Sequence, residues 1–220
     1  MSKNSKKLRI VLLGAPSSGK GTQAELLSQK LGLKHLASGD VFRQEVKKKS
    51  ELGKAIEDYL KKGKLVPDEL VNKVIISKIR KTKKGIILDG YPRDLTQAKF
   101  LEKNFPTDLV LEIKISNKEA LKRITGRRVC SYCGAVYHLK YKPPKKKGIC
   151  DICGHKLVQR DDDRREIAEK RLKLYHQTIK PIIKFYKRKD KLFIINGEQS
   201  IKKVFQDILK IVLRKKDEKK

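Results

Sequence analysis

The chain has 220 residues, with 56 Lys and Arg against 25 Asp and Glu, for a formal net charge of +31 at neutral pH. Hydrophobic residues make up 38% and charged residues 37%, but the apolar ones are clustered enough to build a core, which argues against disorder along the whole chain. No apolar run approaches the ~20 residues that span a bilayer. The run 8–13, which follows a basic start at residues 1–7, is too short for a secretion signal, so a cytoplasmic chain with no membrane partner is expected.

In chain order, residues 8–13 read as a buried strand, 20–31 as a helix and 35–37 as a weaker strand. Residues 38–66 are helical in pattern and polar, with no strand. A helix at 68–80, strands at 85–88 and 109–115, and a helix at 117–124 follow. Residues 126–163 are rich in Gly, Pro and Cys. The rest reads as a helix over 161–186, a strand at 192–195, a helix at 201–213 and a frayed charged tail at 214–220. Strands alternating with helices predict an α/β fold, a parallel five-stranded sheet with helices on both faces and ligands at the carboxyl ends of the strands. The expected core is 1–37, 67–125 and 164–220, with inserts at 38–66 and 126–163.

The first strand runs into Gly14-Ala15-Pro16-Ser17-Ser18-Gly19-Lys20-Gly21-Thr22 and then a helix. Two glycines with four residues between them, the second followed by Lys, have the spacing of a phosphate loop. The glycines allow a tight turn that aims N–H groups at an anion, the helix N-terminus adds positive potential, and Lys20 adds a full charge. In the strict form Ser or Thr follows the Lys directly; here Gly21 intervenes before Thr22. A chance glycine turn is the plain alternative, disfavoured by the strand before and the helix after.

Gly-Lys-Gly-Thr resembles the loop of adenylate kinases and related nucleoside monophosphate kinases. Further stretches match that family in order: Ser38-Gly39-Asp40-Val41-Phe42-Arg43, Asp89-Gly90-Tyr91-Pro92-Arg93 with Gln97, Arg123-Ile124-Thr125-Gly126-Arg127-Arg128, and Arg160-Asp161-Asp162-Asp163 with Arg171. The likeness covers nearly the whole chain. It departs at Ser17, where the family usually has Gly; Ser fits there at negative φ, with a modest effect expected.

The resemblance implies a P-loop core with a monophosphate-binding insert at 38–66 and a lid at 126–163. It also implies the phosphate donor ATP and the acceptor AMP, with ADP as product. Ser17, Ser18, Gly19, Lys20, Gly21, Thr22, Arg123, Arg127, Val136, Tyr137 and Gln199 would then serve ATP, Gln199 through its backbone. Ser38, Arg43, Lys64, Leu65, Val66, Gly90, Tyr91, Pro92, Arg93, Gln97, Arg160 and Arg171 would serve AMP. Lys20, Arg93, Arg127, Arg160 and Arg171 would carry the chemistry, and Asp89 would order water around Mg²⁺; as a plain alternative, Asp89 caps a helix or turn.

The residue types agree with phosphoryl transfer, which needs positioning and charge neutralisation more than acid–base groups. Guanidinium forks bind phosphate bidentately and stay protonated. Any single Arg could be a surface ion pair; seven in matched contexts are poorly explained that way.

All four cysteines lie together as Cys130-x2-Cys133 and Cys150-x2-Cys153, separated by sixteen residues, the spacing of a four-thiolate zinc site. Disulfides, reduced thiols and iron in the same tetrahedron are the alternatives. Four protein ligands leave no open position, so the metal is expected to be structural. His138 and His155 are surplus, expected as ordinary surface residues. Zinc-bearing lids resemble those of bacterial long-form adenylate kinases.

Two other readings stand beside this one: a GTP-dependent AMP kinase of the same fold, and a zinc-ribbon nucleic-acid binder, raised by the charge of +31. The cations are 43 Lys and 13 Arg spread along the chain, with short runs only and no Trp. Nucleic-acid readers gather cations on one element beside stacking aromatics. A lysine-rich solvated surface, no specific nucleic acid and a monomer are therefore expected.

Overall fold

The computed structural model describes residues 7–62 and 64–218. Five strands, β1 (Arg9–Leu13), β2 (Lys34–Ala37), β3 (Ile86–Asp89), β4 (Leu109–Lys114) and β8 (Leu192–Asn196), form one sheet in the order β2-β3-β1-β4-β8. All of its pairings are parallel. The helices are α1 (Lys20–Leu31), α2 (Ser38–Lys47), α3 (Glu51–Lys61), α4 (Asp68–Arg80), α5 (Leu95–Asn104), α6 (Asn117–Gly126), α7 (Arg165–Lys187) and α8 (Ile201–Asp217). A second, antiparallel sheet joins β5 (Arg127–Cys130) to β6 (Val136–His138) and β7 (Leu157–Val158), in the order β6-β5-β7.

The parity of β1 sorts the core into two layers, because side chains alternate across a strand. Ile10 and Leu12 pack with Ala24, Leu27, Val204, Ile208 and Val212, from α1 and α8. Val11 and Leu13 pack on the opposite face with Ile75, Ile79, Leu101, Ile182 and Tyr186, from α4, α5 and α7. Burial on both faces explains why these strands read as continuous apolar runs. The carboxyl ends of β1 and β3 meet at the centre of the sheet, with Leu12 level with Asp89.

Several expectations change. Residues 95–104, given no element from the sequence, form α5, started by the Asp94 side chain accepting from the Gln97 amide. The single helix expected over 161–186 is a 3₁₀ turn at Asp161–Asp163, an extended Arg164, and then α7. The break turns the three consecutive carboxylates toward different partners. The tail expected to fray continues α8 to Asp217, with Arg214 and Lys215 paired to Glu218; residues 219–220, like 1–6 of the basic start, lie outside the described residues.

Residues 38–61 form the helix pair α2 and α3. Ser50 caps α3 by accepting from the Gly53 amide. At Gly53 the two helices nearly touch: a Cβ there would stand 2.2 Å from the Glu45 carbonyl oxygen. Gly53→Ala should therefore destabilise this pair by about 2 kcal/mol through overpacking, read as faster hydrogen exchange in α2 and α3; unchanged exchange would show that the helices can separate without cost.

Candidate active site and metal centre

The loop after β1 turns through Gly14 at φ 146 and Gly19 at φ 103. A Cβ on Gly14 would lie 2.5 Å from the Ile113 carbonyl oxygen, so only glycine fits. Ser17 has φ 59. That corrects the expectation of a negative φ: the position usually held by glycine keeps its left-handed backbone here and makes Ser carry the strain. No side chain caps α1 at Gly19, so its first amides face the loop, where an anion would sit. The hydroxyls of Ser17 and Ser18 are buried with no partner among the described residues.

Lys20 folds back over the loop, its Nζ donating to the carbonyls of Gly14 and Ala15, both at 2.8 Å. Burial pulls its pKa down to about 8; Asp89 opposes this, and the charges of Arg93, Arg171 and Arg127 add to it. Asp89 ends β3 beside α1, 3.4 Å from where a Gly21 Cβ would be. His35 approaches it with Nε2 3.5 Å from Oδ2. Burial pushes the Asp89 carboxyl up, but His35 and Lys20 outweigh it and hold it below its usual range. Asp89 caps no helix here.

The arginines converge from four segments. Burial and neighbouring cations lower Arg93 to about 10, with Arg171 and Arg43 the main charges. Arg160 falls to about 10 for the same reasons, with Arg43 and Arg127 nearby. Arg171 is also lowered, first by burial. Cations that depress one another in this way are a standing demand for anions. Carboxylates meet part of it. Asp163, with no exposed side-chain surface, accepts from Arg127 Nε at 2.8 Å and from Arg127 Nη2, and from Arg171 Nη1 at 3.3 Å. Asp162 lies 2.9 Å from Arg171. Asp40 pairs with Arg43 and sits 3.7 Å from Arg160. That last pair and the packing of α3 on the 161–163 turn bring the α2–α3 insert against the end of the second insert.

The expected monophosphate residues form a connected group. Ser38 Oγ donates to the Gly90 carbonyl at 2.7 Å, and Arg93 Nε reaches the same oxygen at 2.7 Å. Gln97 accepts from the Arg93 amide at 2.8 Å and donates to Asp68 at 2.7 Å, so its buried side chain is already engaged. The hydroxyl of Tyr91, which precedes Pro92, meets Asn72 at 2.6 Å. The Lys64 amide closes on the Tyr59 carbonyl at 2.9 Å, leading through Leu65 to the buried Val66. On the other side, Thr22 lies in the first turn of α1, and Arg123 donates to the Ser18 carbonyl at 3.4 Å. Gln199 is tied by its side chain to Asn196 and Asp207, each at 3.0 Å.

The four Cys Sγ atoms all lie within 4.8 Å of one another, with Cys130 to Cys153 at 3.4 Å and Cys133 to Cys150 at 3.6 Å. A tetrahedron of ~2.3 Å Zn–S bonds has edges of about 3.8 Å, so the thiols fit such an ion; a disulfide needs about 2.05 Å. The two knuckles are alike. Gly134 at φ 75 and Gly154 at φ 71 close them, their amides donating to the carbonyls of Cys130 and Cys150 at 3.2 and 2.9 Å.

Val136 pairs with Val129 and is exposed. The Tyr137 side chain turns inward instead, its hydroxyl 3.5 Å from Cys150 Sγ and accepting from the Asp151 amide at 2.8 Å. Only the Tyr137 main chain remains for a nucleotide. His155 stacks on the exposed Tyr132, ring centres 4.3 Å apart. His138 is not an ordinary surface residue. Its Nδ1 accepts the amides of Lys140 and Tyr141 at 3.0 and 3.1 Å, and its ring fills the space over Gly126, where a Cβ would stand 2.5 Å from Nε2.

A family model for adenylate kinase matches residues 12–191. The chain belongs to the adenylate kinase family. It is 44% identical over 210 residues to an adenylate kinase of Caldicellulosiruptor saccharolyticus, covering 92% of this chain and 98% of the relative. It is 45% identical to one from Thermococcus onnurineus over 206 residues, 91% and 92% of the two chains. A third, from Caldanaerobacter subterraneus, is 45% identical over 213 residues, 94% and 96%. The protein is thus a nucleoside monophosphate kinase, a phosphotransferase with adenylate kinase function.

The family motifs point to the arginines, but not to the acids that hold them: Asp40, Asp162, Asp163 and Glu119. The signal was available in the run Asp161-Asp162-Asp163, where three carboxylates set between Arg160 and Arg164 invite pairing. Ser17 gives a direct test of loop strain. Ser17→Gly should raise Tm by about 2 °C, since relief of the left-handed cost exceeds the added chain entropy; a lower Tm would mean that the Ser side chain holds the loop.

Proposed function

We propose that the chain catalyses the reversible transfer of the γ-phosphoryl group of Mg·ATP to AMP, giving two ADP, in adenine nucleotide balance. The observation that carries this is the convergence of Lys20, Arg93, Arg127, Arg160 and Arg171 on one phosphate loop, with their pKa values pressed down or held by a carboxylate. The reaction is a direct in-line transfer: an AMP phosphate oxygen bonds to the γ-phosphorus as the bond to the β-phosphate oxygen breaks.

In this reading the amides and side chains of 17–22, with Arg123, Arg127 and the main chain at Val136, Tyr137 and Gln199, hold ATP. Ser38, Arg43, Lys64 to Val66, Gly90 to Arg93 and Gln97 hold AMP. Arg160 and Arg171 span the two phosphates, and Lys20 follows the migrating charge. Asp89, kept ionised, orders water of the magnesium–nucleotide complex. The core is 1–37, 67–125 and 164–220; the inserts 38–66 and 126–163 close over it and exclude water that would otherwise hydrolyse ATP.

Cys130, Cys133, Cys150 and Cys153 would hold one Zn²⁺. Bound there, it supplies folding energy to an insert whose buried cluster is only Cys130, Tyr137 and Cys150 with a few partly buried neighbours. We further propose a monomer working in the cytoplasm; no helix among the described residues is long and apolar enough to cross a membrane.

Two measurements test the reading. Lys20→Ala should lower kcat by at least about a thousandfold, the scale of one lost charge stabiliser in a dry site, in an ADP-formation assay over a panel of donors and acceptors; near-normal turnover would overturn the phosphate-loop assignment. Metal analysis under reducing conditions should give one zinc per chain, and Cys130→Ser should lower Tm while leaving low-temperature turnover largely intact. A metal-free chain of unchanged Tm would remove the structural ion.

A further inference from the structure

One side-chain cluster joins the cysteine-bearing insert to the core away from the thiols, with Arg123 linking it to the phosphate loop. Tyr141 belongs to the turn after β6, which is pinned from within by His138 accepting the Tyr141 amide and by the bridge between His138 and Lys142. Its hydroxyl donates to Glu119 Oε1 on α6 at 2.6 Å. The same oxygen accepts Arg123 Nε at 2.7 Å. The Arg123 guanidinium lies over the Tyr141 ring, 5.1 Å from its centre, and its Nη1 reaches the Ser18 carbonyl in the phosphate loop. Glu119 is itself fixed, its amide donating to the capping Ser116 in the first turn of α6.

We infer that Glu119 and Tyr141 are positioning residues that form a latch, through which the position of the insert sets the orientation of Arg123 at the triphosphate. The inference rests on the reading of Arg123 as an ATP ligand. One carboxylate oxygen is shared by a donor from the insert and a donor from the core helix. When the insert swings away, the hydroxyl and the aromatic face leave together, and the 2.7 Å bond to Glu119, shorter than the 3.4 Å reach to the Ser18 carbonyl, draws Arg123 back along α6. When the insert returns, the ring covers the guanidinium, Tyr141 takes part of the carboxylate, and the Nη groups turn toward the loop. Burial favours a higher Glu119 pKa, but the bonds from Tyr141 and Arg123 outweigh it, so the acceptor stays ionised. Tyr141 is 37% exposed, so removing its hydroxyl leaves no buried group unsatisfied and the variant should fold.

The test compares Tyr141→Phe, Arg123→Ala and the double variant by steady-state ADP formation in the metal-loaded protein, with KM measured separately for Mg·ATP and AMP. Tyr141→Phe keeps the ring and should raise KM for Mg·ATP about fivefold, the worth of one ordinary hydrogen bond, with KM for AMP and Tm unchanged. In the Arg123→Ala background the same change should add nothing. If Arg123→Ala raises KM for Mg·ATP while Tyr141→Phe does not, the latch is overturned and the ATP site stands. Equal rises in both KM values for Tyr141→Phe would also overturn it, as loss of general lid structure. If Arg123→Ala leaves KM for Mg·ATP unchanged, the assignment of Arg123 falls and the latch falls with it.

Discussion

The constraint on which the rest depends is the mutual repulsion of cations gathered around one short loop. Lys20, Arg93, Arg127, Arg160 and Arg171 come from separate elements, and all but Arg127 have their protonated form weakened, first by burial and then by at least one of the others. Such a gathering collapses unless rigid elements hold it and acids intersperse it. The sheet supplies rigidity by placing β1 at its centre, buried on both faces, so that the loop hangs from a strand paired on both edges. The acids come mainly from the inserts and their junctions: Asp40 at the start of α2, and Asp162 and Asp163 just before α7. Fold and site are therefore one problem, which the parallel sheet solves by sending the first insert out from the carboxyl end of β2 and the second from α6, the helix that follows β4.

Most of this was legible because the informative signals are local. The strand at 8–13, the glycine spacing of 14–19 and the paired Cys-x2-Cys knuckles each fix a conformation within a few residues. The less legible parts depend on partners far along the chain. Helix α5 has a weak apolar pattern, since only Gln97, Ala98 and Leu101 are buried in it, and Gln97 is polar. The break at Arg164 is invisible to periodicity because it arises when Asp163 is pulled under Arg127 and Arg171. Ser17 was misjudged because nothing in its neighbours shows that the loop needs a left-handed residue; that requirement comes from closing the turn between β1 and α1. His138 gave no sign of its role, which is to fill the space over a glycine twelve positions earlier.

The charge of +31 divides along similar lines. The arginines of the cleft are embedded among carboxylates and the phosphate loop, whereas lysines such as Lys54, Lys61, Lys62 and Lys203 form i,i+3 or i,i+4 pairs along exposed helix faces. Such pairs add little stability. The surface excess favours capture of anions through the long-range field, while on the proposed function the selective work falls to the few guanidiniums that the fold has brought together.

The carboxylates that hold the arginines have a consequence for turnover. On the proposed function, a nucleotide arriving in the cleft does not meet bare cations; it would take Arg43 and Arg160 from Asp40 and Arg171 from Asp162. Binding is then an exchange of one anion for another, and its strength is the difference between phosphate and carboxylate as partners, not the full attraction of either. As product withdraws, the acids stand ready to reclaim their arginines, so release proceeds through a relay of replaced contacts with no stage at which the charges are left facing one another alone. An enzyme that runs its reaction in both directions has use for a cleft whose empty and filled states lie close in energy.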